Sequence, residues 1–232
     1  MEGWEIPNAP TSIPNLKSAR SAAASDLVNA QVESVNIVGY KTESYPAARG
    51  QPMQFVKVGG GTTYITDILN KDTIAPFEDL LQIYDPGQGV FINYLWDGEQ
   101  WIDESTDDPV NIEIVPGNAF LVLASGDWIF SGEVASITTY DHPIEANVAT
   151  FVGNAFPADA TIAGFDWSEI APFEDLIQLY DAGQGVFVNY LWDGEQWIDE
   201  ATDDPLPSST PMNDGFLILT GLSSITQTLE TN

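Results

Sequence analysis

The 232-residue chain has no cysteine, which removes disulfide frameworks, thiolate metal sites and cysteine nucleophiles together. It has a single histidine, His142. That leaves no material for the usual zinc sites or nucleophile triads, and His142 reads as an ordinary surface or linker residue. A lone histidine and paired carboxylates do not define an active site, so the expectation is a protein that is not an enzyme. Apolar runs such as Ala119-Phe-Leu-Val-Leu-Ala124 are strand-sized and far short of a membrane span. The opening residues Met1-Glu-Gly-Trp-Glu-Ile-Pro-Asn-Ala-Pro10 show neither the basic nor the apolar region of a signal peptide. The expectation is a cytosolic chain, or an extracellular or cell-surface one whose signal peptide has been removed.

Positive charge is the scarcest property. Six Lys and Arg stand against 35 Asp and Glu, a formal net charge of −29. A surface with so little positive charge cannot displace counterions from a polyanion, which excludes nucleic acid as a direct ligand and disfavours anionic membranes. Cations, neutral glycans and other copies of the chain remain as partners. All six cations (Lys17, Arg20, Lys41, Arg49, Lys57, Lys71) lie in the first 71 residues, where six acids balance them. From Asp72 to the end there is no Lys or Arg. Such segregation favours head-to-tail over side-by-side association of copies. Adaptation to salt or a solvated acidic surface accounts for the same pattern.

What is present is a foldable composition, 44% hydrophobic and 11% aromatic, and a long internal repeat. Ile74-Ala-Pro-Phe-Glu-Asp-Leu-Leu-Gln-Ile-Tyr-Asp85 returns as Ile170-Ala-Pro-Phe-Glu-Asp-Leu-Ile-Gln-Leu-Tyr-Asp181, an offset of 96 (170 against 74). Only five positions differ between 74–109 and its copy: Leu81/Ile177, Ile83/Leu179, Pro86/Ala182, Ile92/Val188 and Ser105/Ala201. Phe55-Val56 against Phe151-Val152 keeps the same offset. A unit this long is a domain rather than a solenoid coil or propeller blade. The division predicted is an N-terminal arm (1–31), a first β-domain (32–133) and a second (134–232).

The pattern predicts an all-β fold, two tandem homologous antiparallel β-sandwich or barrel-like domains preceded by an extended, short-helical arm. Strands are expected at 32–40, 53–58, 80–84, 90–96, 99–104, 112–115, 119–123 and 128–130, with helix confined to the arm and a turn near 65–69. Asp97-Gly98 and Asp193-Gly194 read as two-residue hairpin turns, setting Trp96 opposite Glu99 and Tyr94 opposite Trp101. Alternation then puts Tyr94, Trp96 and Trp101 on one face, as it does Tyr190, Trp192 and Trp197 in the second copy. Phe91, Leu95 and Ile102 take the other. Since both faces are partly apolar, the first set is a candidate interface or sugar-stacking platform as well as a candidate core.

After each hairpin come four carboxylates within six positions, Asp103, Glu104, Asp107 and Asp108, repeated as Asp199, Glu200, Asp203 and Asp204. Such a loop either binds a hard cation, for which Ca²⁺ suits an irregular set of oxygens, or is simply solvated. In the arm, Trp4, Ile6, Ile13 and Leu16 are apolar residues with no local way to bury themselves. They can pack on their own body or dock on a neighbour, where an added strand would propagate a fibre.

The stretches Phe151-Val-Gly-Asn-Ala-Phe-Pro157, Gln82-Ile-Tyr-Asp-Pro-Gly-Gln-Gly89, Trp96-Asp-Gly-Glu-Gln-Trp-Ile-Asp-Glu104 and Pro116-Gly-Asn-Ala-Phe-Leu121 resemble the tandem β-sandwich modules of secreted bacterial surface proteins. The resemblance spans roughly residues 50–225 and leaves the arm aside. It implies the sandwich fold and an extracellular setting rather than an activity. The copies depart from each other where Lys57-Val58 faces Gly153-Asn154 and Pro116-Gly117 faces Met212-Asn213. Two functions follow as expectations: a structural subunit assembling head to tail with its own kind into a filament or surface layer, or a carbohydrate-binding protein with duplicated Trp/Tyr platforms.

Overall fold

Short apolar runs between Gly, Pro and Asp turns can satisfy their backbone groups only by pairing with one another. A computed structural model describes residues 38–45, 49–134 and 137–230 as predominantly β and antiparallel. All of these fall within one unit, Asn36–Asn232. The first copy contributes β1 (Val38–Ser44), β2 (Arg49–Pro52), β3 (Thr63–Tyr64), the helical turn α1 (Ile65–Ile68), β4 (Leu80–Asp85), β5 (Val90–Trp96), β6 (Trp101–Asp103), β7 (Pro109–Val110), β8 (Glu113–Ile114), β9 (Ala119–Leu123) and β10 (Asp127–Glu133). The second contributes β11 (Thr139–Pro143), β12 (Thr150–Val152), β13 (Leu176–Asp181), β14 (Val186–Trp192), β15 (Trp197–Asp199), β16 (Phe216–Leu219) and β17 (Ser224–Thr228).

The larger sheets have matching orders, β2-β9-β4-β5-β6-β7 and β12-β16-β13-β14-β15, and the ribbons β1-β10, β3-β8 and β11-β17 accompany them. One hydrophobic cluster per copy joins sheet to ribbon. In the first copy Leu81, Trp96, Trp101, Phe120 and Val122 from the sheet meet Trp128 and Phe130 from β10 and Ile65 and Ile68 from α1. In the second, Ile177, Trp197, Phe216 and Ile218 meet Ile225 and Phe165. The arrangement is sandwich-like, as the alternation requires.

The hairpin register differs from the expected one. Trp96 pairs with Trp101 and Tyr94 with Asp103, so the connection is the four residues Asp97 to Gln100. The cause is the Asp97 carboxylate, which accepts the N–H groups of Glu99 (2.7 Å) and Gln100 (2.8 Å) and closes a wider loop than a two-residue turn. Asp193 does the same in the second copy. These bonds hold both carboxyls below the ordinary aspartate range.

Strand pairing also corrects the outer part of the repeat. Thr150 faces Ile218 where Arg49 faces Val122. The offset here is therefore 101 (150 against 49) while the central strands keep 96. Phe151 answers to Gly50, and Phe55 to the equally buried Phe156. The second copy is five residues shorter between Phe156 and Trp167 than the first between Phe55 and Lys71, which accounts for the slip.

The sheet faces turned away from the two cores pack on each other. Phe91 and its counterpart Phe187 stack at 5.7 Å with planes 9° apart, and Tyr84, Tyr180, Leu121, Leu217 and Phe151 surround them. Equivalent residues meeting each other is the mark of a two-fold interface, here between two halves of one chain. Backbones approach closely at its edge: a Cβ on Gly50 would lie 1.3 Å from the Asp214 carbonyl oxygen. Gly153 N–H bonds to Gly117 O at 2.8 Å, and Arg49 bridges Glu43 and Asp214.

His142 is buried in this junction, not on the surface as the sequence suggests. Its Nδ1 lies 3.1 Å from Gly117 O and its Nε2 3.0 Å from Gln227 Oε1. Tyr140 donates its hydroxyl to Pro116 O beside it. Gly117 has φ +82, and a Cβ there would meet Tyr140 Cε1 at 2.5 Å and His142 Nδ1 at 2.7 Å. Gly117→Ala is therefore expected to cost about 2 kcal/mol or more in urea unfolding. Gly126→Ala, where nothing lies within 4 Å, should cost less than about 0.5 kcal/mol.

Burial pushes the His142 pKa down, and the facing oxygens and Asp141 reverse this only in part. Below the unfolded value of about 6.5 the unfolded chain gains a proton that the native state resists, so stability should fall as pH drops from about 7 to about 5.5. The drop should be measurable as the difference in unfolding midpoint between the parent and His142→Gln, which should lack this part of the pH dependence.

Candidate functional site

The turn that opens each large sheet combines constraint and exposure. Ala75-Pro76-Phe77-Glu78 carries Pro at its second position, a Glu78 N–H to Ala75 O bond of 3.3 Å and φ 60 at Phe77. That is the pattern of a type II turn, whose third position ordinarily takes glycine. Phe173 repeats it at φ 59. Both phenylalanines are 66% exposed, so neither is kept in this unfavourable conformation by its own packing.

A buried carboxylate braces the turn. Asp79 accepts from Ala75 N (2.9 Å), Ser125 N (2.7 Å), Ser125 Oγ (3.0 Å) and Trp128 Nε1 (2.8 Å). Asp175 accepts from Ala171 N (2.7 Å) and Gly221 N (3.3 Å); Gly221 stands where the first copy has Ser125, and neither a hydroxyl nor an indole donates to it. Phe77 N–H is tied in turn to Trp96 O at 2.7 Å.

Next to the turn the outer sheet face presents an apolar row. Leu123, Leu80, Leu95 and Ile102 are direct cross-strand neighbours on β9, β4, β5 and β6, and Leu219, Leu176, Leu191 and Ile198 repeat them. All are partly or largely exposed. A polar row follows, in which Gln82 Nε2 donates to Asn93 Oδ1 and Asn93 Nδ2 to Glu104. Gln178, Asn189 and Glu200 match it. The third row, with Tyr84 and Phe91, is the face already covered by the other copy.

The aromatic set expected as an interface or sugar platform is placed otherwise. Trp96, Trp101 and Trp197 are buried in their own cores, while Tyr94, Tyr190 and Trp192 pack against those cores half-buried. Their face lines the core because the ribbons cover it, and the Phe91 face meets the second copy instead. Trp4, Ile6, Ile13 and Leu16 lie outside the described residues.

The acidic loops are largely occupied with their own backbone. Asp103 accepts from Ser105 N and Oγ, which lowers its pKa, and Asp199 accepts from Ala201 N. Glu104 and Glu200 belong to the polar rows. Asp107 and Asp203 take φ of 59 and 61, and with Asp108 and Asp204 they are exposed. Among the described residues no three His, Cys, Asp or Glu side chains converge on a metal-sized site. Clefts of about 470 and 530 Å³ lie along these loops, lined by Phe91, Asn93 and Glu104 and by Phe187, Asn189 and Glu200.

The sequence reading missed Phe77, Asp79 and their copies. Proline followed by a residue other than glycine, then two acids, marks a turn but does not disclose the sign of φ. Compared with family models, curated proteins and solved structures, the chain matches none.

The unequal bracing gives a differential test. Removing the Asp79 carboxylate strands four donors and removing that of Asp175 strands two, so Asp79→Ala should cost about 3 kcal/mol and Asp175→Ala about 1–2. Denaturant unfolding of the two variants side by side measures the order, and equal losses would contradict it.

Proposed function

We propose that this is a non-enzymatic structural protein whose copies join head to tail in an extracellular or cell-surface filament or layer, the arm (1–31) of one chain docking on the outer sheet face of the next. The observation supporting this is the pair Phe77 and Phe173, presented to solvent to the same extent on braced turns at equivalent positions. Exposed aromatics held rigidly beside an apolar row have the character of interface anchors. Two such faces on one chain supply the valence a polymer needs.

Electrostatics favours the arm over another body as the occupant. Residues 6–25 contain Lys17 and Arg20 and no acid, whereas no Lys or Arg follows Lys71. Over its full length the arm carries Glu2, Glu5 and Asp26 against Lys17 and Arg20 and is close to neutral, so arm-on-body docking meets far less like-charge repulsion than body-on-body docking. The sugar-platform reading is weaker because the indoles it requires are largely covered.

The double variant Phe77→Gly/Phe173→Gly separates docking from folding, because glycine relaxes a type II turn. Its stability should stay within about 1 kcal/mol of the parent. Sedimentation velocity over a concentration series, with negative-stain imaging, should show parent oligomers or filaments that the variant forms poorly. A parent that stays monomeric at high concentration, or a variant that assembles equally well, would refute the proposal.

A further inference from the structure

The two copies differ at one point inside otherwise matching surroundings. In the first, Lys71 places its ammonium 5.9 Å from the ring centroid of Trp96. The corresponding residue in the second copy is Trp167 (167 against 71), and the equivalence is structural, since Ile74 N–H bonds to Lys71 O as Ile170 N–H bonds to Trp167 O. The counterparts of Trp96 and Trp101 are Trp192 and Trp197. A residue that supplied a cation has thus become a third indole, in a half with no Lys or Arg to replace it.

The three indoles surround space. Trp167 and Trp197 meet at 5.2 Å with planes 85° apart, and Trp192 and Trp197 at 5.3 Å and 61°. The Trp167 Nε1–H donates to Ile162 O at 2.7 Å, which fixes the ring. Trp192 is half-buried where Trp96 is fully buried. A cavity of about 120 Å³ is lined by Trp167, Trp192 and Trp197 with Leu206 and the carboxylate-bearing Glu195. Angled aromatic faces with an acid at hand attract a cation through the ring quadrupoles and the carboxylate together. The first copy already shows this preference within the chain.

We infer that the Trp167–Trp192–Trp197 pocket of the second copy binds an aliphatic ammonium group, primary or methylated. The shared chemistry has two sources, a lysine side chain or a small free methylated amine. The inference stands apart from the assembly reading and needs no second copy of the chain.

The test is an NMR titration of the full chain, following the seven tryptophan indole N–H signals. The probes are tetramethylammonium, a doubly capped lysine amide, its trimethylated form and the neutral isostere neopentyl alcohol. The cations should shift the Trp192 and Trp197 signals and bind about fivefold or more tightly than the alcohol. The capped lysines against tetramethylammonium tell which source the pocket prefers. Glu195→Gln, an exposed change that should leave the fold intact, should weaken cation binding several-fold. Trp167→Lys, which restores the first copy's arrangement, should abolish it. Equal binding of the alcohol, indole signals unmoved by every cation, or cation binding unaffected in both variants would overturn the inference.

Discussion

Carboxylates held by neutral donors underlie this fold. In a chain with so few cations, acids must be placed by N–H and O–H groups rather than by ion pairs. Asp79 gathers two backbone amides, a hydroxyl and an indole in the first core. Asp85, Asp97 and Asp103 and their copies each close a turn on their own backbone. Among the described residues, ion pairs join Lys41, Arg49 and Lys57 to Glu43, Asp214 and Asp67. The acids that shape the turns are therefore structural elements as much as sources of charge.

The central strands were legible because β-branched and aromatic residues alternate there between strong turn signals, and 90–96 and 119–123 coincide with β5 and β9. The hairpin register was not legible. It depends on whether Asp97 uses its carboxylate to widen the loop, and Asp-Gly permits either outcome. Both faces of β5 are partly apolar, and strand alternation cannot say which face meets the core and which the other copy: the Trp96 face, expected as the outward one, lines the core, and the Phe91 face meets the second copy. The sign of φ at Phe77 and the burial of His142 are tertiary outcomes. The first is imposed by the Asp79 brace and the Trp96 carbonyl, the second by a turn 25 residues away in sequence.

Duplication leaves the halves unequal in a consistent way. The first copy satisfies itself: Trp128 completes the Asp79 network and Lys71 covers Trp96. The second lacks both partners, so Asp175 has fewer donors and three indoles border open space. The near-identical block 74–109 preserves the strands and turns that both copies share. The divergence is concentrated in the segments around it, where one copy is closed and the other is accessible.

The stacked pair Phe91 and Phe187 bears on ancestry. A solitary module carrying that aromatic face would pair with its twin, and its stability would depend on dilution. Fusing two modules makes the encounter intramolecular, so the partner's effective concentration is set by the linker rather than by expression level. Obligatory pairing within one polypeptide also lifts the demand that both partners be identical, and each can then specialise without forfeiting the other.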